Sequence, residues 1–174
     1  SIPTAIIGFT FDSTIIGDFY SEMHLVGGCL IFTGILIWIS KDYDGKKQID
    51  DFQFSNALVV GFFQGLAILP GVSRSGSTIA ISKILGMDPV KAARLSFLLF
   101  IPAIMGATLL KIGEINETVE EVGFLALGLG FLSSAITSYF AVSALLELIK
   151  QQKFHYFTPY CIVLGVFLIY SSLF

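Results

Sequence analysis

The stretch Gln64–Thr78, QGLAILPGVSRSGST, gathers one arginine, four hydroxyl side chains, three glycines and a proline inside a chain that is otherwise greasy. Of the 174 residues, 55% are hydrophobic and only 13% charged, about half the charged share of an ordinary soluble domain. Mean hydropathy is +0.84. So little charge cannot cover the surface of a soluble protein of this size, and the composition implies a multi-spanning membrane protein. The net charge of -3 decides nothing, because in such proteins the distribution of charge matters more than its sum.

Working outward from the quoted stretch, residues 54–70 are apolar but stop at Pro70-Gly71, and a second short apolar piece, 77–86, ends at Gly86. A helix over 55–68 is about 21 Å long, too short for a hydrocarbon core of about 30 Å. The pair therefore predicts a helical hairpin that enters the membrane and returns, with its second helix starting near Ser75–Ser77. The tip, PGVSRSGS, is then irregular backbone at membrane depth, which is tolerated only where protein buries it or where it lines a watery cavity. Residues 2–11 are apolar but too short to span, whereas 24–40 is a span with Trp38 as an interface anchor. The polar loop KDYDGKKQIDDF follows it. Asp88-Pro89 opens a helix, with Asp as N-cap and Pro in the first turn, that runs to about Lys111 with a kink at Pro102. The acidic loop EINETVEEV separates it from spans at about 123–149 and 157–174. In the former, Ala126, Gly130, Ser134 and Ser138 recur every four residues, a spacing that lets helices approach closely.

Charge sorts with this topology. If 54–86 returns to the side it entered, one side carries Lys41, Lys46, Lys47, Lys83, Lys91, Arg94, Lys150 and Lys153. The other carries Asp12, Asp18, Glu22, Glu114, Glu117, Glu120 and Glu121, with Lys111 its only base. The lysine-rich side is then cytoplasmic. A single crossing by 54–86 would split the basic residues between the two sides. Cys29 and Cys161 lie in apolar runs and read as packing residues, and His24 and His155 flank spans as interfacial residues.

Arg74 is the residue that demands a function. An arginine at mid-membrane costs about 2.5–3.5 kcal/mol on insertion scales, so it needs a partner, and the nearby acids all lie in loops. A phosphate fits best, because a guanidinium matches its oxygens in a fork. Gly71 and Gly76 allow close backbone approach, the N–H groups opening the second helix favour an anion, and Ser73, Ser75, Ser77 and Thr78 add hydroxyls. The octapeptide GVSRSGST falls short of a nucleotide-binding P-loop, since Ser77 occupies the lysine position and no parallel sheet is in view. It also lacks the histidine-based lipid phosphatase motif SR-x5-H-x3-D, which would need His and Asp where Ala80 and Ile84 stand.

The longer segment LPGVSRSGSTIAISKILGMDPVKAARLSFLLFIPAIMGA resembles the second signature region of the undecaprenyl-pyrophosphate phosphatase family, the bacitracin-resistance type. The family pattern, approximately PGxSRSGxT and then AAxFSFLLxIPxIxGA, falls here on Pro70–Thr78 and Ala92–Ala107, with Leu95 replacing the first phenylalanine. SIPTAIIGF and the span at 24–40 look like the middle of that family, so the resemblance covers essentially the whole chain. It implies an all-α integral membrane protein, a multi-spanning helical bundle with a re-entrant helix hairpin, as part of an inverted-repeat architecture. Residues 1–53 would be the remainder of the first repeat and 54–174 the second.

The implied reaction is hydrolysis of a polyprenyl (undecaprenyl) diphosphate to the monophosphate, recycling carrier lipid for the cell envelope. The implied location is the plasma membrane, multi-pass, with the site facing the extracytoplasmic side. The partners are the polyprenyl diphosphate lipid and the membrane, with no nucleic acid, and a homodimer is left open. Carried over by position, Arg74, Ser73 and Thr78 are the catalytic-site residues. Gly71, Ser75, Gly76 and Ser77 complete the binding loop, and Gln64 stands where the other repeat carries a glutamate.

The family's first motif, with its glutamates and PxSSxGH loop, is not in these 174 residues. It is expected upstream, in a longer protein, along with the ligands of a divalent cation (Mg or Ca), for which this chain offers none. Half of a bipartite site is therefore expected here. A different class, a membrane transporter of lipid or anion built on the same re-entrant loop, shares the anion-binding tip.

Overall fold

The computed structural model describes residues 22–110, 113 and 123–173. The apolar stretch 2–11 and the acidic loop 114–122, with Asp12, Asp18 and Lys111, lie outside the described residues. Six α-helices make up the described chain: α1 (Met23–Ile39), α2 (Phe54–Leu66), α3 (Arg74–Ile84), α4 (Pro89–Leu110), α5 (Phe124–Lys150) and α6 (Phe157–Leu173). No strand occurs among the described residues; one isolated bridge joins Lys47 and Met87. Among the described residues four segments are long and apolar enough to cross a membrane, Met23–Asp42, Pro89–Leu109, Phe124–Lys150 and Phe154–Leu173. The fold is therefore the all-α, multi-spanning one that the composition implies.

The helix boundaries follow from local chemistry. Asp88 caps α4, its carboxylate accepting from the Lys91 amide at 3.0 Å, with Pro89 in the first turn where its missing N–H costs nothing. The helix continues through Pro102. At the end of α3, Gly86 takes φ +91, its amide donates to the Lys83 carbonyl, and the Met87 amide reaches back to Ser82 at 3.0 Å. Those paired bonds are the glycine-terminated helix end that satisfies the last carbonyls. Lys47 adds its ammonium to the Leu85 carbonyl at 2.9 Å.

The same lysine fixes the course of the hairpin. The Lys47 amide donates to the Gly86 carbonyl, and the Asp88 amide donates to the Lys47 carbonyl, both at 3.1 Å. The loop that enters α2 is thus stitched to the turn that leaves α3, so both ends of the α2–α3 hairpin lie at one end of the bundle. Gln152, in the turn between α5 and α6, joins them through Asp44 at 3.0 Å. Trp38, Lys41, His155 and Tyr156 cluster beside this polar layer, with the Lys41 ammonium 3.8 Å from the Trp38 ring centre. That is the aromatic and cationic composition of a membrane interface.

The most buried element is α3: every residue from Gly76 to Lys83 is buried. Ile79 packs with Ile37, Met87, Ala92, Ala93, Ile149 and Phe154, while Ala80 and Ile81 pack with Leu36 and Val60. Lys83 is buried too, with the Asp44 and Asp42 carboxylates offsetting part of the cost of its charge.

Close helix approach occurs where the sequence reading did not place it. α1 and α6 pack along Gly27, Gly34 and Gly165; a Cβ at Gly27 would sit 2.6 Å from the Gly165 carbonyl oxygen, and the converse holds at Gly165. By contrast, Ala126, Gly130, Ser134 and Ser138 on α5 are exposed, and open space surrounds Gly130 among the described residues. We therefore expect Gly165→Val to lower the stability of the detergent-solubilised protein by about 1–3 kcal/mol through overpacking. Gly130→Val should leave it unchanged, with thermal unfolding midpoints as the measure.

Candidate functional site

The hairpin tip is built by three devices. The first is Gly71 at φ +93, a left-handed conformation in which a side chain would also strike the Val26 carbonyl and Cys29 of α1. The second is Ser73, whose extended backbone (φ -70, ψ 117) and hydroxyl cap α3, accepting from the Gly76 amide at 3.1 Å. The cap moves the helix start from the expected Ser75–Ser77 to Arg74, because a hydroxyl that satisfies the third amide lets the turn before it become helical. The third is Gly76 itself, where a Cβ would lie 2.9 Å from Ser73 Oγ.

Arg74 is consequently the first residue of the most buried helix. Its guanidinium carbon lies 4.8 Å from the ring centre of Phe100 on α4, a cation–π contact. Its Nη1 is buried with no hydrogen-bond partner, and no carboxylate pairs with it among the described residues. The helix opening is equally unspent. Ser73 caps the Gly76 amide and the Ser77 amide bonds the Ser73 carbonyl at 2.9 Å, whereas no described group accepts from the amides of Arg74 and Ser75. Two orphan N–H groups at the positive end of a helix and an unpaired guanidinium nitrogen therefore belong to two consecutive residues, Arg74 and Ser75.

The remaining residues named from the sequence divide into two groups. Ser73 is exposed and Ser75 half-buried, both at the tip with Arg74. Ser77 and Thr78 turn inward: Ser77 is fully buried with its hydroxyl unpartnered. Thr78 is 1% exposed, donates back to the Arg74 carbonyl at 2.9 Å, and shares a 2.6 Å hydrogen bond with Ser96 of α4. Gln64 of α2 is buried and reaches the Leu99 carbonyl through Nε2 at 3.4 Å, while its Oε1 has no partner. Leu99 and Phe100 are neighbours, so α4 holds Gln64 and Arg74 on adjacent residues. Below Gln64, an apolar cavity of about 230 Å³ lies between α2 and α4, lined by Val60, Gly61, Leu95 and Leu99 among others.

Sequence reasoning missed three contributors. Ser96 and Phe100 lie four residues apart on α4, inside the segment AARLSFLLFIP, where a serine followed a turn later by an aromatic was the available signal. Thr33 of α1 is fully buried; it contacts the tip, as its hydroxyl accepts from the Ser73 amide at 3.0 Å. A single threonine in an apolar span ordinarily bonds back to its own helix and gives no cue.

These features define a polytopic helical membrane protein with an arginine at the tip of a short helical hairpin, one of its nitrogens buried and unpaired. The chain belongs to the family described as bacitracin resistance protein BacA, whose model matches residues 1–167. It is 41% identical over 166 residues to the undecaprenyl-diphosphatase of Desulfosudis oleivorans, covering 95% of this chain and 60% of that protein. It is 39% identical over 170 residues to the one from Halothermothrix orenii, covering 97% and 65%. It is 36% identical over 177 residues to the one from Methanothermobacter thermautotrophicus, covering 99% and 97%. Against the first two, the chain spans less than two thirds of the relative's length.

The geometry makes opposite predictions for the two inward hydroxyls. Ser96→Ala removes one partner of a buried pair and should cost about 1–3 kcal/mol of stability, read by thermal unfolding. Ser77→Ala removes a hydroxyl that no described group meets, and the unfolding midpoint should hold or rise.

Proposed function

We propose that the chain supplies the diphosphate-binding part of an undecaprenyl-diphosphate phosphatase, which hydrolyses the lipid diphosphate to the monophosphate and inorganic phosphate. The observation that carries this reading is the buried, unpaired Nη1 of Arg74, on the residue that opens α3 with a free amide of its own. A buried charge with no partner is costly, and a phosphate oxygen is the acceptor its geometry suits. The names of the relatives supply the substrate.

In this reading, the α2–α3 hairpin is re-entrant. Its tip meets α1 at Thr33, Cys29 and Val26, about 10–20 Å along the helix from Ser40 at the polar end. That depth lies near the middle of a core of about 30 Å. The lysine-rich end is cytoplasmic, the membrane is the plasma membrane, and the tip opens toward the extracytoplasmic side. Arg74 and the amides of Arg74 and Ser75 hold oxygens of the diphosphate. They stabilise the charge that builds as the P–O–P bond to the terminal phosphoryl group breaks. Thr78 and Ser96 keep the first turn of α3 in register with α4, and the apolar α2–α4 seam suits the greasy neighbour of an anionic head.

A divalent cation does not fit these residues: no group of three or more His, Cys, Asp or Glu side chains able to hold one occurs among the described residues. No step here runs through a metal. In this reading the attacking group and any carboxylates come from a second hairpin that faces this one, as the inverted-repeat resemblance implies.

Arg74→Lys in the full-length protein should lower phosphate release from undecaprenyl diphosphate by about 10²-fold or more, because a point charge does not replace the fork, while the unfolding midpoint holds. Wild-type turnover in that variant would refute the role of Arg74. A purified wild-type protein that moves the lipid between leaflets but releases no phosphate would favour transport instead.

A further inference from the structure

We infer that Thr33, on α1 and outside the signature segment, is a positioning residue that completes the cap of the anion-binding helix without adding a negative charge. The inference rests on the anion-site reading above.

A helix that begins with a serine cap commonly carries Glu or Gln at its third position, whose side chain reaches back to the cap residue's own amide. Here the third position is Gly76, which has no side chain to give, so α3 cannot satisfy the Ser73 amide from within. Thr33 does so from another helix, accepting that amide at 3.0 Å. Its single proton goes to the Cys29 carbonyl at 3.1 Å or the Gly71 carbonyl at 3.3 Å, so one hydroxyl ties Ser73, and in the second arrangement Gly71 as well, to α1. The fit is close on the apolar side as well. A Cβ at Gly76 would lie 3.2 Å from the Thr33 methyl group and 2.9 Å from Ser73 Oγ, so a side chain at position 76 would have to push both capping side chains aside.

The choice has an electrostatic consequence. A glutamate in the usual place would set a carboxylate in the first turn, beside Arg74, and would compete with a bound anion for the guanidinium and the helix end. A threonine hydroxyl saturates the same amide and stays neutral. The Arg74 and Ser75 amides and Arg74 Nη1 are thereby left to the ligand. Thr33 touches none of the reacting groups; it acts through the conformation of Gly71–Ser73.

The test uses the full-length protein and inorganic pyrophosphate as probe. Modification of Arg74 by phenylglyoxal is followed by mass spectrometry of its peptide, and the pyrophosphate concentration giving half protection is measured. Thr33→Val keeps the shape and removes the hydroxyl, and it should raise that concentration about tenfold, the scale expected for loss of one buried hydrogen bond. Thr33→Ser should stay within about twofold of wild type. Should the valine variant not fold, Thr33→Ala should show the same rise. Hydrogen exchange over residues 67–78 should speed up in the valine or alanine variant and not in the serine variant. Protection in Thr33→Val equal to wild type overturns the inference and leaves the anion site standing. Absence of any protection in the wild type overturns the anion-site reading and the inference with it.

Discussion

A guanidinium nitrogen is held out of water with nothing to bond, and the rest of the molecule is arranged around keeping it so. Arg74 opens the most buried helix of the bundle, leans on the Phe100 ring, and finds no carboxylate among the described residues. The ring contact is favourable, but a buried guanidinium nitrogen without an acceptor costs stability. Together they suit the proposed role, a charge left available for an acceptor from outside, since an internal ion pair would fill the site permanently.

The scaffold explains how such a charge is tolerated. α3 is clamped on several faces: α1 closes over the tip, α4 holds its first turn through the Thr78–Ser96 pair, and the Lys47 loop ties down its far end. A helix fixed at both ends has little freedom to swing its arginine into a compensating contact. The glycine contacts between α1 and α6 extend this rigidity, because α1 is itself the surface against which the loop is set.

Much of this was legible in the sequence. The proline and glycine that follow α2 and the Asp88-Pro89 start of α4 are local signals, each acting within a few residues, whereas the start of α3 was expected one to three residues late because the Ser73 cap went unrecognised. The stitching of the Lys47 loop to the turn after α3 puts both ends of the hairpin together, which agrees with the side the lysines suggested. Arg74 stood out because its cost in lipid is large. What could not be read were contacts between elements distant in sequence. Thr33 lies 40 residues from its partner Ser73, and Thr78 lies 18 from Ser96. Nor could the chain say which of two small-residue rows would pack. Ala126, Gly130, Ser134 and Ser138 have the better spacing, yet they face open space among the described residues, and Gly27 and Gly165 carry the close approach. Spacing shows that a close contact is sterically allowed; it does not show which partner is present.

The decisive measurement is an experimental structure of the full-length protein in lipid with pyrophosphate bound. The account predicts phosphate oxygens within hydrogen-bond distance of Arg74 Nη1 and of the Arg74 and Ser75 amides, below the level of the headgroups. Pyrophosphate bound elsewhere, with Arg74 closed onto a carboxylate of its own chain, would contradict it.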